Sequence, residues 1–282
     1  MPFASVNGIK LYYEVHGTAG PPLVFAHGGG ADMTQWDPQV EFFSRQFQVI
    51  TYDSRGHGHS GVPAEGYSVE IFTEDLSALL RHLAVPRACI IGLSMGGMVA
   101  MNLALRHPEA VAALVLVSTA AEVNEVTRQN FEQSAQIALE IGMEAFAHGF
   151  CNVVFSEAFK RLKPELTGFC RKRIARTSPL GYANSIRALA AQEPLISSLA
   201  QIEIPALVVT GQIETLPHSL AYATAIRQAI PGAELAIIAE AAYLTGLEQP
   251  ERFNEAVLNF LRRVEFNEEV SDDAESTHSC SG

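Results

Sequence analysis

The sequence predicts an α/β protein with a mostly parallel, doubly wound sheet and an inserted helical cap. Short apolar runs that favour strands alternate with segments of helical periodicity over residues 1–120 and again over residues 201–265. These runs are apolar throughout, which is typical of parallel strands covered by helices on both faces. Between residues 121 and 200 the apolar residues recur only at helical spacing, which predicts a cap inserted after a sheet strand.

Composition and charge narrow the class of protein. The chain has 282 residues, of which 48% are hydrophobic and 18% are charged, and this is typical of a globular protein with a large core. Its formal net charge is −12, whereas nucleic-acid binding requires a basic surface, so we exclude nucleic acid as a partner. Part of the negative charge lies in residues 266–282, an acidic, serine-rich tail that we expect to be disordered.

The first residues and the cysteines bear on the cellular location of the protein. Residues 1–10 lack the charged and apolar regions of a signal peptide, and no apolar run approaches the length of a membrane span. The cysteines, which have no metal-ligand or redox spacing, are Cys89, Cys151, Cys170 and Cys280. We therefore predict a cytoplasmic protein without a membrane partner. The sequence carries no signal of its oligomeric state.

The elements of the first half follow in order along the chain. Val6–Val15 alternates around Asn7-Gly8, which predicts a β-hairpin. Leu23–Ala26 is a short buried strand that ends in His27-Gly28-Gly29-Gly30, where the missing side chains allow the backbone to approach a ligand. A helix, a strand and a second helix are predicted next, at Trp36–Phe43, Gln48–Tyr52 and Tyr67–Leu83.

Two histidines stand beside an aspartate in the loop after residue 52. His57 and His59 are two residues apart in a glycine-rich stretch that begins at Asp53, and no third ligand is near them in sequence. A zinc site needs at least three protein ligands. We therefore predict no metal here. The sequence also shows no nucleotide-binding loop or other cofactor motif, so we predict no cofactor.

The motif around which the chain is organised is Gly92-Leu93-Ser94-Met95-Gly96. It joins a strand-like run to an apolar, alanine-rich segment with helical spacing. In this context Gly-x-Ser-x-Gly predicts a nucleophile elbow, a sharp turn that exposes the Ser94 hydroxyl in a strained backbone conformation. The N–H of Met95 then lies at a helix N-terminus, which favours a developing oxyanion, and we expect the Gly29 N–H to be the second donor.

The cap and the last elements complete the predicted core and pocket. Strands and helices alternate again at residues 204–211, Ser219–Ile230, Ala233–Ile238 and Glu251–Val264. We expect a largely apolar pocket whose substrate contacts are Gly28, Trp36, Phe146 and Phe150, with Phe155 and Leu166 in its lining. The cap also carries a basic cluster, for which a solvated helix face is favoured over a contact with an anionic substrate: Arg171, Lys172, Arg173 and Arg176.

Several of these motifs resemble the α/β-hydrolase family over nearly the whole chain. They are His27-Gly28-Gly29, the segment 52–60, the Ser94 elbow and the segment 247–253. Within that family the chain is most similar to the 3-oxoadipate enol-lactonases, on the segments 36–39, 92–98 and 177–182. The resemblance implies an α/β-hydrolase fold and a triad of Ser, acid and His that acts on a small ester or lactone.

The chain departs from the family pattern at two of the three triad positions. Ser94 matches the nucleophile, but the acid position, three residues after Gly211, holds Glu214 in place of Asp. The position of the His is occupied by Tyr243. A phenol titrates at about 10 and an imidazole at about 6.5, so at neutral pH Tyr243 is a poor acceptor for the Ser94 proton. Other groups considered as a substitute base or acid are His218, His148 and Glu122, and for His218 a helix-capping surface position is favoured.

Three functions from different classes remain open. The first is a hydrolase of a small ester, lactone or related carbonyl compound, in which Ser94, Glu214 and Tyr243 form an atypical triad. The second is a non-hydrolytic enzyme, such as a cyclase, lyase, decarboxylase or isomerase. There the oxyanion donors stabilise an enolate, and Tyr243, oriented by a hydrogen bond from its phenol to Glu214, donates a proton. The third is a catalytically silent protein that binds a small ligand.

Overall fold

One sheet runs through the protein. The computed structural model describes residues 2–216 and 219–266. Its strands over this part of the chain are β1 (Phe3–Val6), β2 (Ile9–His16), β3 (Pro22–Ala26), β4 (Gln48–Tyr52), β5 (Ala88–Leu93), β6 (Val111–Val117), β7 (Ala206–Gly211) and β8 (Glu234–Ile238). They lie in the order β1-β2-β4-β3-β5-β6-β7-β8; β1, β2 and β4 pair antiparallel, and every pairing from β4 to β8 is parallel. The predicted α/β class with a mostly parallel sheet is confirmed.

Helices connect the parallel strands and cover the sheet. They are α1 (Asp37–Phe43), α2 (Val69–His82), α3 (Met95–Arg106), α4 (Glu125–Glu140), α5 (Met143–Val154), α6 (Glu157–Leu162), α7 (Pro164–Ile174), α8 (Pro179–Ala190), α9 (Ser219–Ala229), α10 (Thr245–Glu248) and α11 (Pro250–Leu261). Helix α2 packs against α3, and α1 packs against α11. The central strands β5 and β6 are buried at every position, which explains why both sequences are apolar without alternation.

Five helices, α4–α8, lie between β6 and β7, in the segment for which the sequence predicts a cap. Three of them begin at a side-chain N-cap: Asn124, Ser156 and Ser178 each accept a hydrogen bond from a backbone N–H in the first turn. Helix α4 packs against α8, and α5 packs against α7. The helix α6 was not predicted as a separate element, because it is a short helix of six residues.

The segment 121–200 is joined to the rest of the protein by close polar contacts. Thr177 Oγ1 donates to the Gly30 carbonyl at 2.9 Å. A Cβ atom at Gly181 would lie 2.0 Å from the Gly56 carbonyl oxygen, so only glycine permits this approach of α8 to the loop after β4. These contacts place α8 directly over the loop that follows β3.

Two of the predictions fall on residues outside the ranges 2–216 and 219–266. Most of the acidic tail, including Cys280, lies outside the described residues, as does His218. The three other cysteines have free thiols. In the described ranges, none of the helices combines the length and the apolar character that crossing a membrane requires.

Candidate active site

The turn between β5 and α3 forms a strained elbow at Ser94. This residue has φ 52° and ψ −110°, a region that residues other than glycine rarely adopt and that costs about 1–3 kcal/mol. The turn is compact because a Cβ at Gly92 would lie 2.2 Å from the Gly96 carbonyl oxygen, and a Cβ at Gly96 would lie 2.2 Å from that of Ala26. The Ser94 N–H donates to the Val117 carbonyl at 2.9 Å, which ties the elbow to β6.

Two backbone N–H groups were predicted as oxyanion donors for Ser94, those of Met95 and Gly29. Met95 is the first residue of α3, so its N–H lies at the positive end of the helix dipole. Gly29 lines the cavity in front of Ser94. Over the described residues, neither N–H donates to an acceptor within the protein. These two donors therefore remain available for a developing negative charge.

The loop that carries Gly29 is held from both sides by hydrogen bonds. The Gly28 N–H donates to Gln35 Oε1 at 3.0 Å, and the Gly30 N–H donates to His57 Nε2 at 3.1 Å. Burial, together with the neighbouring His27, lowers the pKa of His57 to about 3, so its ring is neutral and can accept this bond at physiological pH.

The histidines of this region have structural contacts and do not form a metal site. His27 Nε2 accepts a hydrogen bond from the Ser54 N–H at 3.0 Å. His59 is exposed, with Nδ1 3.4 Å from Asp53 Oδ2, and the Asp53 carboxylate also accepts from the Met33 N–H. No group of three or more His, Cys, Asp or Glu side chains able to hold a metal ion occurs in the ranges 2–216 and 219–266.

The structure brings Tyr243 to Ser94. Tyr243 lies between β8 and α10 and lines the cavity together with Ser94. Burial raises the pKa of Tyr243 to about 12, and the interaction with the Ser94 side chain opposes part of this rise. The Tyr243 backbone carbonyl accepts a hydrogen bond from Ser118 Oγ at 2.8 Å, which fixes this segment beside the end of β6. The titratable side chain that interacts with Ser94 is therefore a neutral phenol at physiological pH.

Glu214 does not join this pair. Its side chain is exposed, and Oε1 accepts a hydrogen bond from the Leu220 N–H at 3.4 Å, in the first turn of α9. None of the hydrogen bonds among the described residues links Glu214 to Tyr243, so the predicted orienting contact is absent from this arrangement. A carboxylate at a helix N-terminus is a favourable cap, which accounts for the position that Glu214 adopts.

The other predicted substitutes also lie away from Ser94. His148 is exposed, with Nδ1 3.5 Å from Arg171 Nη1, and Glu122 is exposed on the loop after β6. The side chains that line the cavity within the described ranges include no imidazole. Ser94 and Tyr243 are thus the two predicted catalytic side chains that the structure brings together.

A cavity of about 520 Å³ opens over Ser94, within the range of about 300–1,000 Å³ typical of small-molecule sites. Each of the five helices α4–α8 contributes at least one aromatic side chain to its wall. These residues are Phe131, Phe146, Phe150, Phe159, Phe169 and Tyr182. The predicted contacts Gly28, Phe146 and Phe150 line the cavity, as does Leu166. Phe131, Phe159 and Phe169 were missed; Phe131 and Phe169 lie in segments with helical periodicity, whereas Phe159 lies on the unpredicted helix α6.

Two residues predicted at the pocket lie in the core instead. Trp36 is 1% exposed and packs between the rings of Phe25 and Phe253, with centroid distances of 5.2 and 6.1 Å. It does not line the cavity, because its side chain, in the turn that precedes α1, packs against Phe25 of β3. Phe155 is also buried, and its ring stacks on that of Phe159 at 5.0 Å.

Sequence reasoning also missed the carboxyl group that supports the segment carrying Tyr243. Glu248 Oε1 accepts from the Ala242 N–H at 3.1 Å, and Oε2 accepts from Ser156 Oγ at 2.5 Å. Burial raises the pKa of Glu248, while these hydrogen bonds lower it. Because Ser156 is the N-cap of α6, the Glu248 side chain links the segment 121–200 to the residue that precedes Tyr243.

Comparisons with known proteins agree with this architecture. The family described as alpha/beta hydrolase fold matches residues 21–248. The 3-oxoadipate enol-lactonase 2 of Acinetobacter baylyi is 32% identical over 260 residues, which are 92% of this chain and 96% of that protein. A crystal structure of the enol-lactonase from Burkholderia xenovorans LB400 is similar with a TM-score of 0.88 at 32% identity, covering 93% of this chain and 100% of that one. A thermophilic esterase from Thermogutta terrifontis, with malate bound, has a TM-score of 0.85 at 30% identity and covers 93% and 96%.

Proposed function

Because the chain belongs to the α/β-hydrolase family, we propose that it acts on the carbonyl group of a small ester or lactone, with Ser94 as the nucleophile. The observation that carries this proposal is the elbow itself. Ser94 is held at φ 52° on the cavity wall. The N–H groups of Gly29 and Met95 donate to no acceptor among the described residues. A protein that only binds a ligand has no need of this strain. The similarity to an enol-lactonase and to an esterase supports the same substrate class.

The first step follows from the position of the donors. Ser94 Oγ attacks the carbonyl carbon, and the π electrons of the carbonyl move to its oxygen. The N–H groups of Gly29 and Met95 stabilise the resulting negative charge, an effect worth about 3–4 kcal/mol for one donor in a comparable oxyanion hole. The aromatic wall of the cavity excludes water, which strengthens these hydrogen bonds.

Tyr243 transfers the proton in this proposal as a relay and not as a base. With a pKa of about 12, only about one phenol in 10⁵ is ionised at pH 7. The phenol oxygen takes the Ser94 proton while the phenol proton passes to the leaving oxygen, so the C–O bond breaks and the phenol stays neutral. The products are an acyl-enzyme and an alcohol, and water reverses the same steps to release the acid. We assign Glu214 no proton transfer, since it caps α9.

The test is hydrolysis of 4-nitrophenyl and phenyl acetates by the wild-type chain, Ser94→Ala and Tyr243→Phe. We expect slow turnover that Ser94→Ala abolishes and that Tyr243→Phe reduces by about 10²-fold, the lower range for a lost acid–base group. For a relay, kcat/KM stays flat between about pH 7 and 9, whereas a phenolate base with this pKa would raise it about tenfold per pH unit. Turnover equal to that of Ser94→Ala would refute the hydrolase proposal.

The neutral phenol also favours a second candidate, a non-hydrolytic reaction in which Tyr243 protonates an enolate held by the oxyanion donors. This reaction needs no acyl-enzyme. Ketonisation of the enol of benzoylacetone, followed by ultraviolet absorbance, separates the two candidates. Non-hydrolytic catalysis survives Ser94→Ala and is lost in Tyr243→Phe, whereas hydrolysis requires Ser94.

A further inference from the structure

The charged side chains that line the cavity pair with one another. Within the described ranges they are Arg173 of α7, Asp32 and Asp37. Arg173 Nε lies 3.8 Å from Asp32 Oδ2, and Arg173 Nη1 lies 3.4 Å from Asp37 Oδ2. The guanidinium carbon also lies 4.9 Å from the centroid of the Phe169 ring, a cation–π contact. The one cation of the lining is therefore shared between two carboxyl groups.

This arrangement disfavours an anionic ligand. A substrate carboxylate that approached Arg173 would replace one aspartate and face the other at short range. Two like charges about 4 Å apart repel by about 4 kcal/mol at the effective dielectric constant of a protein surface. Two other polar side chains of the wall, Ser134 and Gln35, carry no charge, and Ser134 Oγ and Gln35 Oε1 already make hydrogen bonds inside the protein.

The rest of the wall favours flat, apolar groups. The rings of Phe146 and Phe150 stack at a centroid distance of 5.3 Å, and Tyr182 lies 4.3 Å from Phe146. Rings on several helices offer both faces and edges for contact with an aromatic or branched aliphatic group. Binding then depends on shape and on removal of apolar surface from water, which requires no charged anchor.

We infer that the substrate of the proposed reaction is an electrically neutral ester or lactone with an aryl or bulky alkyl group, and that Asp32 and Asp37 discriminate against carboxylate-bearing substrates by occupying Arg173. This inference rests on the proposed function for the position of the carbonyl group. The discrimination itself depends only on the lining and can be measured without turnover.

The experiment compares two stable ketones that differ by one carboxylate, 4-phenylbutan-2-one and 4-(4-carboxyphenyl)butan-2-one. Calorimetric titration of the wild-type chain is expected to give an affinity for the neutral ketone at least about tenfold higher, the effect of 1.4 kcal/mol. The same preference is expected in Ser94→Ala, which has no turnover. A preference that persists while all esterase activity is absent would refute the proposed reaction and leave the inference about the ligand standing.

Variants identify the groups responsible. In Asp32→Asn with Asp37→Asn, Arg173 is free, and the affinity for the carboxylate ketone rises by about tenfold or more while that for the neutral ketone changes less than about threefold. Asparagine keeps the capping hydrogen bond of residue 32 to the Thr34 N–H. Glu41→Gln, on an exposed side chain outside the cavity wall, is the control for loss of a negative charge elsewhere on the surface and changes neither affinity. The inference is overturned if wild type prefers the carboxylate ketone and Arg173→Gln removes that preference, or if a folded chain binds neither ketone.

Discussion

The two halves of the candidate site are held by different kinds of contact. The nucleophile half consists of Ser94 and the N–H groups of Gly29 and Met95, and its geometry is set by backbone atoms packed as closely as glycine allows. The predicted acid–base half consists of Tyr243 and Glu214, two side chains on separate connections after β8 and β7, of which Glu214 is exposed and makes no hydrogen bond with Tyr243 among the described residues. Substitution in the acid–base half therefore changes the proton chemistry without disturbing the elbow. Under the proposed function, this difference would let the chain retain the elbow and its N–H donors while a phenol stands at residue 243.

The nucleophile half should tolerate no added atom. In Gly96→Ala the new Cβ would meet the Ala26 carbonyl oxygen at 2.2 Å, a backbone clash that side-chain motion cannot relieve. We expect a loss of about 3 kcal/mol or more in the free energy of unfolding, measured by urea denaturation.

A second glycine serves as the control for this substitution. Gly149 lies within α5, and a Cβ there would meet nothing within 4 Å. Gly149→Ala should stabilise the protein by about 0.5–1 kcal/mol, the ordinary gain of alanine over glycine in a helix. Similar effects of the two substitutions would contradict the steric account of the elbow.

The acid–base half depends on a buried carboxyl group for its backbone. Glu248→Ala would leave the Ala242 and Ser156 N–H groups without their acceptor, at a cost of about 2–4 kcal/mol measured by thermal or urea unfolding. Glu248→Gln retains an acceptor for Ala242 and should cost less.

The pH dependence of these variants has a definite sign. Burial raises the pKa of Glu248 in the folded state, so its contribution to stability is present below the unfolded pKa, about 4.5, and is lost as pH rises through the folded value. Glutamine does not titrate. The stability of Glu248→Gln relative to wild type should therefore increase between about pH 4 and 7, and a difference that falls with pH would contradict the raised pKa.

Residue 243 is the direct test of the altered chemistry. Tyr243→His places an imidazole of pKa about 6.5 beside Ser94, and we expect ester hydrolysis to rise by about tenfold to hundredfold. The rate should increase with pH through about 6.5 and then reach a plateau, because the neutral ring is the base. The gain remains below that of a full triad, since Glu214 caps α9 and does not orient the ring. No gain in a folded variant would show that the cavity, and not the base, limits hydrolysis.

Features that depend on local sequence could be predicted, whereas features that depend on contacts between distant parts of the chain could not. The sheet, the elbow at Ser94 and the strand–glycine loop at Gly29 follow from local patterns, because apolar runs and glycine sterics act over a few residues. The burial of Trp36 between Phe25 and Phe253 depends on contacts with α11, more than 200 residues away in the chain, and no local pattern indicates it. The role of Glu248 depends on Ser156 in the same way. The prediction that Glu214 stands at the acid position stays a prediction, and its carboxylate accepts a hydrogen bond from the first turn of α9 instead of from Tyr243.

Glu214→Gln should have the smallest effect on activity. The side chain is exposed, and its one hydrogen bond to the described residues, from the Leu220 N–H, can be accepted equally by the amide oxygen of glutamine. We expect kcat and KM to change less than about twofold, and the free energy of unfolding to fall by about 0.3–1 kcal/mol as the charge at the helix N-terminus is lost. A tenfold fall in kcat with unchanged KM would show that Glu214 reaches Tyr243 during turnover, and would unite the two halves of the site in one triad. The same substitution in the Tyr243→His background sharpens the test, because an adjacent carboxylate assists an imidazole more than a phenol. A larger loss of kcat there than in wild type would show that the segment after β7 moves and brings Glu214 to residue 243.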